Sequence, residues 1–499
     1  MGSKRKKGKN VSSLSEHILE KKNGVLASPW NFTMRNINFQ TNSWNRERLP
    51  EYLWLAIIFL NFDRKTGFEK LFPILKYIST INDNYLTFPR LSSILSLTPE
   101  TQEKIYQKIL CRIDKSVLAP LTVIINADDY PVFYKYFNDN TMFIERRLEI
   151  IRETIRKLWN HQSNEATDIR YLALSLLLFN NRLHIGPETK DTAIAFTNYP
   201  RIDHSDERMR IYRPTIRSIE GMGFEQTDYS FSNFFWNEIS ILDKCNPYFI
   251  KYEKESLKNE NIIKDTRDAL DYTSAFYKAE QIHSSKLLVL SGLLCYAIKI
   301  FEEIITKDLE NSILGRHGLR TIIEILIIAK YLIKNENERP NIWDEYKQYG
   351  IGKYKLILLK SRENKDKEKL SHFNENLIDI LVNENIWEEF QDIDLKYFDK
   401  TGMREKSIEV NEKEFYDIFY DYDSSYVHGL WGAIRESSIL ACNNPNHLFH
   451  SIPDIFNVQK QVSILFDSEI VFLKLLNIFN TQYTFPKWFT DKYFGNNNE

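Results

Sequence analysis

Residues 284–334 read SSKLLVLSGLLCYAIKIFEEIITKDLENSILGRHGLRTIIEILIIAKYLIK. Two long apolar segments, 284–306 and 312–334, flank a short polar break. Neither alternates with the period of two that a half-buried strand needs, and both exceed ordinary strand length. They predict long helices packed against each other as an antiparallel pair. Charge interrupts the second segment at Arg316, His317, Arg320 and Glu324. Steps of four put Arg316, Arg320 and Glu324 on one face. A charged side chain on so apolar a helix must find a partner if it is buried. An Arg320–Glu324 pair closed on itself meets that need. So does an arginine pair facing a phosphate or carboxylate.

The same periodicity recurs outward from this pair. Leu49-Pro50-Glu51-Tyr52-Leu53-Trp54 opens a helix with Pro50 in its first turn, where proline is tolerated. Thr98-Pro99-Glu100 opens another, with Thr98 as N-cap. Ile144, Leu148, Ile151, Ile155 and Leu158 follow steps of three and four and define one buried stripe. Segments 166–179, 207–219, 262–281, 412–440 and 458–479 are also expected as helices. Val123-Ile124-Ile125 is β-like, but a helix end explains it equally well. Pro247 and the charged run 251–264 mark a boundary near 250. The expectation is an all-α protein of two helical-bundle domains, 31–250 and 251–499, behind a basic disordered tail, 1–30.

Charge and cysteine usage exclude several classes of function. Lys plus Arg total 66 against 68 Asp plus Glu, a net charge of −2, so nucleic acid is not bound through bulk positive charge. Lys4, Arg5, Lys6, Lys7 and Lys9 form a basic start with no apolar stretch behind it, which is no secretory signal. The apolar runs 52–60, 287–298 and 321–329 are too short to span a bilayer. No membrane partner is expected. Cys111, Cys245, Cys295 and Cys442 match no zinc spacing, so reduced thiols in a cytoplasmic protein, with no metal and no cofactor, are expected. Phosphate-binding glycine loops, HExxH and GxSxG are all missing.

Residues 414–440 read EFYDIFYDYDSSYVHGLWGAIRESSIL. As one helix, this segment lines up Asp417, Asp421, Ser424, Ser425, His428, Gly432, Arg435 and Glu436, with Tyr426 and Trp431 among the flanking aromatics. A solvated face normally carries Lys and Glu; small groups and a histidine suggest a site. Downstream, His447 and His450 stand three apart in CNNPNHLFHSIPD. With His428 they could ligate a metal, but HxxH alone is a weak pattern. The preferred reading is that this loop folds back and hydrogen-bonds within the structure or to substrate.

These residues also carry a resemblance. Arg320-Thr321 with Glu324 and Tyr331, then Ser425-Tyr426-Val427-His428-Gly429 with Trp431, Arg435 and Glu436, then Cys442-x-Asn444-Pro445-x-His447 with His450 and Pro453, resemble the bacterial domain of unknown function 5677 family over roughly 270–480. No activity comes with that resemblance. Arg156 to His161 is similar in spacing to the Arg-x(4–6)-His of HEPN helical ribonucleases, a spacing that recurs by chance in a chain this long. The expected function is a bacterial RNA-targeting effector, a metal-independent ribonuclease in antiphage defence or stress response. His428 would be acid/base, Arg320 and Arg435 would bind phosphate, and Glu324 would complete the catalytic group. Ser425, Tyr426, Trp431, Glu436, His447, His450 and Arg316 would bind or orient substrate. The alternative is a non-catalytic binding or sensor module for a small ligand, a partner protein or a second copy of the chain.

Overall fold

The computed structural model describes residues 14–20, 24–34, 43–81, 86–184, 186, 189–223, 228–281, 284–363 and 372–495. The basic run from Lys4 to Lys9 and most of the charged run 360–369 lie outside them. The fold is all-α with small sheets, and the chain forms two compact units. One comprises Met1–Asn246 with Cys442–His450; the other comprises Pro247–Ala441 with Ser451–Glu499.

The first unit is built around the Leu49–Leu60 helix, whose residues from Leu49 through Phe59 are all buried. A helix apolar on every side must be enclosed. Arg64–Ile78, Ile144–Leu158, Asn164–Phe179 and Ser230–Leu242 pack around it. Glu51 is the polar exception, and its carboxylate accepts from the Ser92 amide (3.0 Å) and hydroxyl (2.8 Å). Leu148, Ile151, Ile155 and Leu158 face the core as their spacing requires, whereas Ile144 in the first turn is exposed. Thr98 does occupy the N-cap position of Pro99–Leu110, but its hydroxyl meets the Thr101 hydroxyl instead of a backbone amide. Val123 ends a short 3-10 turn, Ala119–Val123, so that apolar run is a helix end.

In the second unit, Ser285–Thr306, Ile313–Asn335 and Leu465–Gln482 pack against one another. Ser284 and Ser312 cap the first two, accepting from the Leu287 amide at 3.2 Å and the Gly315 amide at 3.0 Å. Gly315 is needed there because a Cβ would overlap the Leu309 carbonyl. Two expected helices are corrected. The one placed at 458–479 starts only at Leu465. The one placed at 412–440 is in pieces: Lys413–Phe415, a π-turn Tyr416–Tyr420, Asp421–Val427 and Trp431–Ser438, followed by a strand, Ile439–Cys442. Gly429 causes the main break, at a φ of 57°. Its amide bonds the Tyr426 carbonyl, and the Leu430 amide reaches back to the Ser425 carbonyl (2.9 Å), the paired bonds of a Schellman stop. Ile439–Cys442 then pairs antiparallel with Ser451–Pro453. Among the described residues no helix is long and apolar enough to cross a membrane.

The first unit also buries a charged group. Glu220, fully buried, accepts from Arg48 Nη1 at 2.6 Å and lies 3.5 Å from Arg170 Nε. Arg170 in turn sits 4.5 Å from the Trp44 ring centre. Removing the carboxylate would strand guanidinium charge in a dry interior. Glu220→Ala is expected to lower stability by ~3–5 kcal/mol. Glu149→Ala, which removes the exposed partner of Arg146, should change it by less than ~1 kcal/mol. Urea denaturation of the two variants beside wild type measures the contrast.

Candidate functional site

The charged face of the Ile313–Asn335 helix meets the segmented stretch 416–428 in two clusters. In the first, Arg320 Nε donates to Ser424 Oγ (2.9 Å) and Arg320 Nη2 to the Tyr420 hydroxyl (2.5 Å). Both Nη atoms also reach the Glu324 carboxylate, at 3.3 and 3.4 Å. The Tyr420 hydroxyl passes its own proton toward Glu324 Oε1 at 2.7 Å. Burial first, and the Glu324 carboxylate second, hold the Tyr420 phenol well above its ordinary pKa, so it remains a donor. The Arg320 guanidinium lies 4.5 Å from the Tyr420 ring centre. The π-turn brings Tyr416 and Tyr420 into a stacked pair, 4.6 Å apart.

This cluster forms one wall of a cavity of about 800 Å³, a volume suited to a small ligand. Ser424 and His428 line it, and His428 is exposed. The lining also includes Tyr346, Tyr349, Tyr397, Arg404 and Lys406, none of which stood out in the sequence. Lys406 is buried and donates to the Phe398 carbonyl (2.6 Å) and to Thr401. Burial lowers its pKa. The tyrosine-rich run DEYKQYGIGKYK, residues 344–355, was the available signal for part of this wall.

The second cluster holds Arg316 and Asp423, 3.5 Å apart and both buried. Tyr422 and Tyr426 flank the Arg316 guanidinium, with ring centres at 5.2 and 5.8 Å. Tyr422 donates to Glu436 at 2.7 Å. The remaining candidates do not join the cavity. Ser425 Oγ bonds the Tyr422 carbonyl, Arg435 Nη1 bonds the Ile439 carbonyl, and Trp431 is exposed. His447 and His450 belong to the first unit, where Cys245 and Cys442 stand beside them. Arg156 and His161 are both exposed at the end of the Ile144–Leu158 helix and in the turn that follows.

Asp423 gives this site a pH signature. Burial pushes its carboxyl up to about 7, against the opposing pull of Arg316 and with Asp467 adding to the rise. In an unfolded chain the same group titrates at ~3.9. Between those values the folded state holds a proton that the unfolded chain has released. Stability therefore falls as pH rises through about 4 to 7 and levels off above. Asp423→Asn removes the titration. Its unfolding free energy, read by urea denaturation, should fall less than that of wild type between pH 5 and pH 7.5, by a difference on the order of a few kcal/mol. Parallel pH profiles would assign the titration elsewhere.

Searches of curated proteins and of solved structures return no match. Residues 287–447, which carry Arg316, Arg320, Glu324, Tyr420, Ser424 and His428, match the model of a Family of unknown function (DUF5677).

Proposed function

We propose that the second unit is a non-catalytic binding module whose cavity takes a small planar aromatic ligand of the nucleobase or nucleoside class. The charge balance of the lining carries this reading. Arg320, Arg404 and Lys406 are matched by Glu324, Glu405 and Asp421, so the cavity has no excess cation to hold a phosphodiester chain. Arg320 is already engaged by Glu324, Tyr420 and Ser424. What the cavity offers instead is the exposed tyrosines Tyr296 and Tyr397 for stacking and an edge made by the Ser424 hydroxyl, the Glu324 carboxylate and His428. Such an edge suits the polar rim of a heterocycle.

A metal-independent ribonuclease is the second reading. It is favoured by the exposed His428 on the wall that also carries Arg320. Here the imidazole would take the proton of the substrate 2′-hydroxyl as that oxygen attacks the adjacent phosphorus, and the bond to the 5′-oxygen would break, leaving a 2′,3′-cyclic phosphate and a 5′-hydroxyl that takes its proton from water.

Thermal unfolding with adenosine, guanosine, cytidine or uridine tests the first reading. One of the four should stabilise the full chain, by ~2.7 kcal/mol at a hundredfold excess over its dissociation constant. Tyr420→Phe removes the proton given to Glu324 and should weaken that stabilisation at least tenfold in ligand concentration. If no nucleoside stabilises the wild type, and cellular RNA is cut in the presence of chelator by wild type but not by His428→Ala, the ribonuclease reading replaces the binding module.

A further inference from the structure

The first unit ends in a group of side chains that the cavity does not use. The Ser230–Leu242 helix runs out into Asp243, Lys244 and Cys245, and the segment Cys442–His450 folds against that end. Asparagines fasten the two backbones together. Asn446 Nδ2 donates to Asp243 Oδ2 at 2.8 Å, and Asn444 Nδ2 to the Lys244 carbonyl at 2.8 Å. The Asn443 amide donates to the Asn246 carbonyl at 2.7 Å. Between these fastened strands, donor atoms of Cys245, Cys442, His447 and His450 converge, all within 4.8 Å of one another.

Their spacing is that of a coordination shell. Cys245 Sγ lies 3.5 Å from His447 Nδ1 and 3.6 Å from His450 Nδ1, and Cys442 Sγ lies 3.3 Å from His447 Nδ1. A tetrahedral zinc ion with Zn–S of ~2.3 Å and Zn–N of ~2.0–2.1 Å sets the sulfur-to-nitrogen edge at about 3.6 Å. The outer contacts fit as well. His447 Nε2 lies 3.1 Å from the Asp243 carbonyl, which only an N–H can satisfy. That bond fixes the tautomer and leaves a bare lone pair on Nδ1, aimed at both sulfurs. The Asn246 amide donates to Cys442 Sγ at 3.3 Å, an acceptor role suited to a thiolate.

We propose that this chain binds a structural zinc ion through Cys245, Cys442, His447 and His450. Two thiolates and two neutral imidazoles are the donor set that favours zinc over harder cations, and the thiolates cancel the charge of the ion. Four protein ligands close the tetrahedron, leaving no position for a substrate or an activated water. The ion ties Cys245 to His447 across a sequence separation of 202 residues. A cross-link over so long a loop holds the Cys442–His450 segment on the first unit. Deprotonation of both thiols on loading releases two protons to solvent, and no oxidant or reductant takes part.

The test uses the full chain, reduced, reconstituted with zinc and dialysed, followed by elemental analysis. One zinc per chain is expected in wild type and in Cys111→Ser and Cys295→Ser, whose thiols lie outside the group. Cys245→Ser and His450→Ala should lose it. Cobalt substitution of the wild-type chain gives a readout that needs no variant to fold. Tetrahedral visible bands together with thiolate-to-cobalt charge transfer are expected. Reconstituted wild type without zinc, or a cobalt form without charge transfer, would overturn the assignment.

Discussion

Charge placed inside an apolar helix bundle must bring its own partners, and the second unit is organised by that constraint. Ile313–Asn335 is buried along most of its length, yet it carries Arg316, Arg320 and Glu324. An unpaired guanidinium in such a place costs several kcal/mol. The stretch 416–428 supplies the answer one group at a time: Tyr420 and Ser424 for Arg320, and the rings of Tyr422 and Tyr426 with the Asp423 carboxyl for Arg316. A plain helix following Lys413 would not set these groups in this register. The π-turn at Tyr416–Tyr420 shifts it by one residue, and the stop at Gly429 ends it beside His428.

The helical class was legible in the sequence because the apolar periods of 284–306 and 312–334 are long and their caps are serines. The pairing of Arg320 with Glu324 was legible for the same reason, since a spacing of four leaves few other geometries. The break at Gly429 was not. A glycine within an apolar, helix-period run costs only ~1 kcal/mol as a helical residue, so pattern alone does not distinguish a tolerated glycine from a left-handed stop. That one difference moved Arg435 and Glu436 off the expected stripe. The cavity's far wall was hidden for another reason: Tyr346, Tyr397 and Lys406 come from segments with no strong period, and only tertiary packing brings them to Arg320.

The cysteines show the opposite limit. Zinc motifs are recognised by local spacing, and Cys245 stands far from Cys442 in the chain. The Cys442–His450 segment supplies three donors locally but lacks the fourth, which arrives only because the segment packs on the end of the Ser230–Leu242 helix. Asn444 and Asn446 are the residues that make this happen, and as buried amides they have little signature in a sequence pattern.

The organising claim is that Arg320, Glu324 and Tyr420 act as one unit. A double-mutant cycle between Arg320→Met and Glu324→Met, read by urea denaturation, measures it most directly. The double variant should be more stable than the sum of the single losses implies, with a coupling of at least ~1 kcal/mol, because each single change leaves its partner's charge behind. Losses that add to within ~0.3–0.5 kcal/mol would mean that the two side chains do not depend on each other and that Arg320, Glu324 and Tyr420 are not one unit.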